Sequence, residues 1–286
     1  MNQFGKISEL RLTAVENSKD KTIIKDSFFT SPFKIMKPFD RKDGRGIMVL
    51  VQTASAGIMA GDVQNEVFVI EDNAILEVKS QSFEKIFKMD NNEKATRSIS
   101  VSVGHNSCFI YAPQPCMPFS CSDFISHTKV SLKDNSSRLV YEDCICAGRV
   151  AHEEAFDYRS YHNLIEVEQQ GSLIYRDNTI LEGSDGGLKQ HNKEVLLTDV
   201  MFGEYTHLGT MLIFNFDLQS SHINRILGLN QKLLYTQDTL KNIKDISAPL
   251  IGVSKAGENC IAVKVLSHHA QEVQNIFSMI KDSLNF

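Results

Sequence analysis

The feature that most constrains this fold is an alternation of apolar and polar residues with a period of two. It is clearest at residues 98–103, where Ile99, Val101 and Val103 alternate with serines. A strand sends successive side chains to opposite faces, so this pattern predicts strands with one buried face. Similar runs begin near residues 7, 47, 67, 75, 130, 139, 164, 173 and 211, and Gln170-Gly171 predicts a hairpin turn between two of them.

Helical spacing is confined to the last part of the chain, at residues 221–240 and 273–284. Strands followed by helices favour a mostly β fold and disfavour a parallel α/β sheet. The sequence therefore predicts a large multi-stranded β scaffold, β-helix-like or made of layered sheets, with a small helical region and a C-terminal helix. No repeat of fixed period is visible, so we expect one domain over residues 1–286, with a loop at residues 182–187.

Composition excludes several classes of function. The net charge is −5 and no dense Lys/Arg cluster is present, which argues against nucleic acid as a partner. No apolar run approaches the ~20 residues that cross a membrane. The first residues lack the pattern of a signal peptide, so we expect a cytoplasmic protein whose six cysteines are mostly reduced.

Motifs for nucleotide, hydrolytic and tight metal sites are missing from the sequence. Residues 57–62 (GIMAGD) resemble a glycine loop, but no Gly-Lys-Ser/Thr follows, so we expect a tight turn capped by Asp62. There is no Gly-x-Ser-x-Gly, no His-Glu-x-x-His and no Cys-x-x-Cys. Cys144 and Cys146 share one face of a strand, where buried core residues are commoner than ligands of a soft metal.

Polar residues stand within apolar strings at residues 80–86, 113–119 and 148–156. Residues 113–119 hold three of the six prolines, and proline donates no hydrogen bond to a sheet. We therefore expect this stretch to be an extended connection outside any central strand, with an exposed apolar tip suited to docking a partner. The C-terminal helix is a second expected docking surface.

At these strings the chain resembles the UreD/UreH family of urease accessory proteins, and it is nearest the UreH-like branch. The strings occur in the family's order. They are residues 31–34 (SPFK), 57–62 (GIMAGD), 80–85 (SQSFEK), 113–115 (PQP), Gly148-Arg149 with Glu153 and Phe156, and residues 175–177 (YRD).

This resemblance implies a metallochaperone scaffold with no catalysis of its own. Its implied partners are UreF, the GTPase UreG through UreF, and apo-urease, in a dimer of the accessory complex. No cofactor is implied to bind tightly; nickel is handled transiently and passes through a polar internal channel. The candidate channel or interface residues that the resemblance carries over are Asp62, Gln81, Glu84, Lys85, Gln114, Arg149, Glu153 and Asp177, and the transient nickel ligands among them are Asp62, Glu84 and Glu153.

Two other readings remain open from the sequence. The first is a hydrolase on a β fold that uses Asp62, Glu84 and Glu153 as acid and base groups. The second is an interaction module with no path for a metal. An enzyme predicts a pocket with convergent groups, whereas a conduit predicts polar residues that continue through the interior.

Overall fold

Strands dominate the part of the chain that the computed structural model describes, which is residues 7–42, 44–90, 92–216 and 248–284. A seven-stranded sheet has the spatial order β17 (Ser172–Glu182), β16 (Ser160–Gln169), β12 (Asp123–Leu132), β9 (Ala95–Val103), β6 (Val63–Ile70), β1 (Ile7–Glu16) and β2 (Thr22–Phe29).

A second sheet faces the first and has eleven strands. Its main path is β19 (Leu250–Gly257), β20 (Cys260–Ser267), β18 (His207–Phe214), β13 (Arg138–Cys146), β10 (Cys108–Ala112), β7 (Ile75–Ser80), β5 (Ile47–Thr53) and β3 (Phe33–Ile35). β4 (Phe39–Asp40) pairs with β5, and β11 (Cys116–Pro118) pairs with β13 and β8 (Glu84–Ile86). The remaining elements are the β14 (Gly148–Arg149) and β15 (Glu154–Ala155) pair, a 3₁₀ turn at Val150–His152, α1 (Gln190–Leu196) and α2 (Ala270–Asp282).

The middle of the chain winds as a β-solenoid that alternates between the two sheets. β6, β9, β12 and β16 are parallel neighbours in one sheet, and β7, β10 and β13 are parallel neighbours in the other. Parallel strands need a long crossover, and here a strand of the opposite sheet supplies it in place of a helix. Val63 pairs with Thr96, 33 residues later, whereas Ala95 pairs with Phe124, 29 residues later. This unequal coil length explains why the sequence shows no fixed period, and the predicted β-rich fold is confirmed.

The main apolar core lies between the two sheets. Phe68 is fully buried and its ring centroid lies 5.3 Å from that of Phe109, while Tyr111 and Tyr141 stack at 5.7 Å. Full burial of one large apolar side chain stabilises a fold by roughly 1.5–3 kcal/mol. The predicted alternation is therefore what brings the two sheets together.

Helix α2 confirms the predicted C-terminal helix and covers the outer face of the eleven-stranded sheet. Val273, Ile276, Phe277 and Ile280 are buried there in a second apolar cluster. Gly209 on β18 permits this contact, because a Cβ at that position would meet Val273 at 2.3 Å. The expectation that the apolar face of this helix docks a partner is wrong, since the chain's own sheet covers it.

The proline-rich stretch also differs from expectation. Pro115, Cys116 and Pro118 are buried, and β11 lies between β8 and β13. β11 is only three residues long. Proline at its end therefore removes few of the hydrogen bonds that join it to β8 and β13. The expected exposed tip is absent, because the Phe119 ring packs 5.0 Å from Phe87 and lies under the guanidinium of Arg149 at 4.2 Å.

Two further expectations can be compared with the structure, and a third cannot. The β16–β17 hairpin turns at Gln170 and Gly171, as predicted. The loop at residues 182–187 is anchored, because the hydroxyl of the buried Ser184 donates to Asp157 at 2.7 Å. The helical pattern at residues 221–240 lies outside the described residues. Neither α-helix in the described part of the chain is long and apolar enough to span a bilayer.

Candidate functional site

A continuous row of polar side chains crosses the inner face of the seven-stranded sheet. Strand register places its members directly beside one another on six neighbouring strands. All of them have the inward parity of the core residues on their strands, so they lie inside the solenoid. The row, called the polar layer below, consists of Ser8, Gln64, Arg97, Ser126, Asn163 and Thr179.

An apolar row lies beside the polar layer on one side, and on the other a mixed row that includes Glu66, Thr128 and Asp177 comes before the next apolar row. One side holds Ala95, Phe124, Tyr161 and Leu181, and the other becomes fully apolar at Leu12, Phe68, Val101, Val130, Val167 and Tyr175. A polar row buried between apolar rows costs free energy unless its groups are paired or hydrated. Four members of the row, Ser8, Gln64, Ser126 and Asn163, are buried, so this cost makes the row a candidate functional site.

Arg97 is the centre of the best-connected part of the layer. Its Nη2 and Nε donate to Gln64 Oε1 at 2.6 and 3.0 Å, and its Nη2 also donates to Glu84. Its Nε lies 3.4 Å from Glu66 Oε1, and its guanidinium carbon is 5.4 Å from the Phe124 ring centroid. Three oxygen-bearing side chains thus converge on one guanidinium.

The electrostatics of this cluster follow from burial. Burial raises the pKa of Glu66 to about 7, with Arg97 opposing the shift and Glu84 adding to it. Burial disfavours the charge of Arg97, but Glu84 and Glu66 overcome this and raise its pKa. Glu66 is therefore close to half protonated at neutral pH, which reduces the net negative charge of the interior.

A second polar cluster surrounds Asp143, on the facing strand β13. Asn163 Nδ2 donates to Asp143 Oδ2 at 2.9 Å, and the Tyr161 hydroxyl donates to the same oxygen at 3.4 Å. Burial raises the pKa of Asp143 to about 6, against the effect of these two hydrogen bonds and of Arg97. Asn163 Oδ1 is buried and accepts no hydrogen bond from the described residues.

Two surface cavities meet the polar layer, one at Arg97 and the other at Thr179. A cavity of about 50 Å³ is lined by Glu66, Glu84 and Arg97, with Gln81 at its edge. A larger cavity of about 680 Å³ is lined by Asp177, Thr179 and Lys264, among others. Arg97 and Thr179 are three strands apart, or about 14 Å at the usual strand spacing.

The eleven-stranded sheet contributes its own polar row opposite this second end. Asp143 pairs in register with Thr210, and Thr210 pairs with Lys264. Lys264 Nζ then lies 2.8 Å from Asp177 Oδ2 of β17, which joins the two sheets. Polar groups from both sheets therefore line the interior from one cavity to the other.

This arrangement offers oxygen ligands without forming a closed metal site. Within the described residues, no three His, Cys, Asp or Glu side chains are grouped to hold a metal ion. Carboxylate and amide oxygens with an imperfect ligand set bind divalent cations weakly. Such a lining suits transfer of a cation better than its storage.

Three of the predicted site residues lie on this system. Glu84 contacts Arg97, Gln81 is exposed at the edge of the smaller cavity, and Asp177 pairs with Lys264 at the larger one. Glu84 and Gln81 therefore lie at the cavity beside Arg97, and Asp177 lies at the cavity beside Thr179.

The other five predicted residues lie elsewhere. Asp62 accepts from Met59 N at 2.8 Å and caps the turn predicted for it. Gln114 Oε1 accepts from Gln274 Nε2 of α2 at 2.8 Å, and Arg149 pairs with Glu154. Lys85 and Glu153 are exposed, and Glu153 ends the 3₁₀ turn with φ of 64°.

The sequence pattern did not single out several residues of this system. They are Arg97 and Asn163 of the layer, and Glu66 and Asp143 beside it. Their signal was parity: Arg97 lies two residues before Ile99, on the face that the alternation assigns to the core. A polar residue at an inward position of a predicted strand was thus visible. Its neighbours on other strands were not, because register is a tertiary property.

Cys144 and Cys146 behave as core residues. Cys144 and Cys146 are buried on β13, and burial raises the pKa of Cys146 to about 12 and that of Cys144 well above its usual value. Thiols of this kind stay protonated and are poor metal ligands. The interpretation of this pair as core is consistent with their burial.

Fold and site together define a mostly β class of protein: a β-solenoid scaffold with a C-terminal helix and a polar layer on the inner face of one sheet. The chain matches the family described as UreD urease accessory protein over residues 6–285. It belongs to that family.

Individual relatives agree with this assignment. The chain is 33% identical to the urease accessory protein UreH of Helicobacter pylori over 88% of this chain and 93% of that protein. It is 36% identical to UreH of Helicobacter acinonychis over 93% and 99% of the two chains. It is 30% identical to the urease accessory protein UreD of Acetivibrio thermocellus over 99% of both.

Proposed function

We propose that this protein acts in the maturation of urease, as a scaffold that conducts nickel into the apoenzyme through its polar layer. The observation that carries the proposal is the continuous polar row from Ser8 to Thr179 on the inner face of the seven-stranded sheet. Nickel is the cargo here, held transiently and not as a resident cofactor. Membership of the urease accessory family supplies the pathway in which the row is used.

The chemistry of the layer supports passage of a divalent cation. Glu66, Glu84 and Asp143 supply carboxylates, and Gln64 and Asn163 supply amide oxygens. Ni²⁺ accepts oxygen ligands but prefers nitrogen and sulfur at a fixed site, so this set holds it weakly. Of the transient ligands that the resemblance implied, Glu84 contacts Arg97 of the layer. Glu66 and Asp143 are two further carboxylates that contact the layer, at Arg97 and Asn163.

The proposed partners are apo-urease, UreF and, through UreF, the GTPase UreG, in a dimer of the accessory complex. The two cavities that meet the layer at Arg97 and Thr179 give the cation one place to enter and another to leave. We place this work in the cytoplasm, which suits six free thiols, five of them buried.

The proposal assigns no catalysis to the chain. Asp62, Glu84 and Glu153 were the acid and base groups of the competing hydrolase. Asp62 caps a turn, Glu153 is exposed, and neither lines the cavity at Glu84. General acid–base catalysis needs such groups within reach of one substrate, and this geometry does not provide it.

The test is co-expression of urease structural proteins and the other accessory proteins with and without this chain. Urease activity and nickel content should both fall in its absence, and full activation without it would refute the proposal. Within the chain, Glu84→Gln should lower nickel content while UreF still binds. Glu71→Gln, at an exposed ion pair with Lys25, is the matched control and should activate urease as the wild type does.

A further inference from the structure

The arrangement around Arg97 is that of a cation held in an oxygen cage. Gln64 and Glu66 come from β6 and Glu84 from β8, and all three direct a side-chain oxygen at the guanidinium of β9. Carboxylate and amide oxygens are also the groups that coordinate divalent cations. The guanidinium keeps its charge at any physiological pH, so it acts as a cation whenever it occupies this cage.

We propose that Arg97 is a tethered counter-ion that keeps a latent divalent-cation site, formed by Gln64, Glu66 and Glu84, closed until a mobile cation displaces it. The inference rests on the proposed function, because a closed site matters only on a path that cations use. Its consequence is that the layer retains no divalent cation at rest.

Charge balance supports this role. With Arg97 in place and both glutamates ionised, the cluster has a net charge of about −1. Without the guanidinium the same oxygens bear about −2, which is the charge that one divalent cation neutralises. The groups that face the cluster from β10, β11 and β13 are Tyr111, Cys116 and Asp143.

Two independent features bear on this displacement. One is space for the arginine side chain, and the other is an acceptor for the cation further along the row. The cavity of about 50 Å³ borders Arg97 and Glu84, so the end of the arginine side chain has space beside its present position. Further along the same row, Asn163 Oδ1 is an acceptor that has no donor among the described residues, next to the Asp143 carboxylate. A cation that has passed Arg97 therefore meets unsatisfied oxygen.

The experiment is nickel binding by the purified full chain, with Ni²⁺ alone as the probe in equilibrium dialysis. Arg97→Gln should bind about one more Ni²⁺ per chain than the wild type. Its Kd for Ni²⁺ should be lower than that of the wild type by a factor of about ten or more. Adding Glu84→Gln to that variant should abolish the gain. Arg11→Gln removes the arginine of an exposed pair with Glu9 and is the matched control, expected to gain nothing because water replaces the lost partner.

A second measurement covers loss of folding, since Arg97→Gln leaves buried carboxylates unpaired. In that case Ni²⁺ should raise its thermal midpoint, and should not do so when Glu84→Gln is added. Arg97→Lys keeps the positive charge but loses the bidentate hydrogen bonds of the guanidinium. Its nickel binding should lie between that of the wild type and that of Arg97→Gln. The proposal is overturned if neither arginine variant binds more Ni²⁺ than the wild type or is stabilised by it.

The outcome is separable from that of the proposed function. Absence of extra nickel binding in both arginine variants, with urease activation still dependent on the chain, refutes only the closed site. Activation of urease without the chain refutes the pathway, while the nickel-binding result still decides what Arg97 does.

Discussion

Replacement of Glu66 by glutamine should change how the stability of this protein depends on pH. Burial raises the pKa of Glu66 from 4.5 to about 7, so the folded chain binds a proton that the unfolded chain releases. The stability contributed by this proton is fully present below pH 4.5 and is lost as pH rises through 7. A shift of about 2.5 units at 1.36 kcal/mol each makes the loss about 3 kcal/mol.

Urea unfolding at pH 4.5 and pH 8 measures this effect directly. The free energy of unfolding of Glu66→Gln, relative to wild type, should rise by about 3 kcal/mol between the two pH values. The raised pKa of Asp143 acts in the same direction but is common to both proteins and cancels in the comparison. Phe68→Leu, the next inward residue of β6, has no titratable group and should lower stability equally at both pH values. Parallel profiles for wild type and Glu66→Gln would refute the assignment of Glu66 as a buried, half-protonated carboxyl.

Three further predictions follow from the contacts. Asp143→Asn keeps an acceptor for Asn163 but removes the charge, so the fold should hold while urease activation falls roughly tenfold, the equivalent of 1.4 kcal/mol of cation affinity; unchanged activation would exclude Asp143 from the path. Lys281 Nζ lies 2.6 Å from Glu142 Oε1 in a buried pair, so Lys281→Met should cost about 3 kcal/mol in urea unfolding, and adding Glu142→Gln should restore most of it. Ellman's reagent should titrate one thiol of the native chain, that of the partly exposed Cys121, and all six after unfolding; rapid reaction of several native thiols would contradict their burial.

Local pattern predicted the elements of this fold better than their arrangement. The serine-alternating residues 98–103 lie in β9, the Gln170-Gly171 turn joins β16 to β17, and the helical spacing at residues 273–284 gives α2. Each of these depends on neighbours a few residues apart, which a sequence displays directly. The prediction of a single domain stays a prediction.

The wrong expectations share a cause as well. Residues 113–119 were expected to be exposed because they are rich in proline, yet β8 and β13 flank them on both sides. The apolar stripe of α2 was expected to meet a partner, yet Gly209 and its sheet receive it. In both cases the sequence showed what needs a contact but not which surface supplies it.

The candidate site divides in the same way. Glu84 and Asp177 were named from the family resemblance, and they line or border the two cavities that meet the layer. Glu66, Arg97 and Asn163 were missed, because a polar residue at one inward position is unremarkable by itself. Only the register of separate strands shows that such positions are adjacent.

The sequence by itself determined the β-rich class, the terminal helix and membership of the urease accessory family, since these follow from periodicity and ordered motifs. Tertiary structure alone decided that the strands wind into a solenoid and that Ser8, Gln64, Arg97, Ser126, Asn163 and Thr179 form one row. The physical reason is that coils of unequal length bring together, in parallel strands, residues that are between 29 and 56 positions apart. Hydrogen bonding between parallel strands fixes that register, and no local pattern records it.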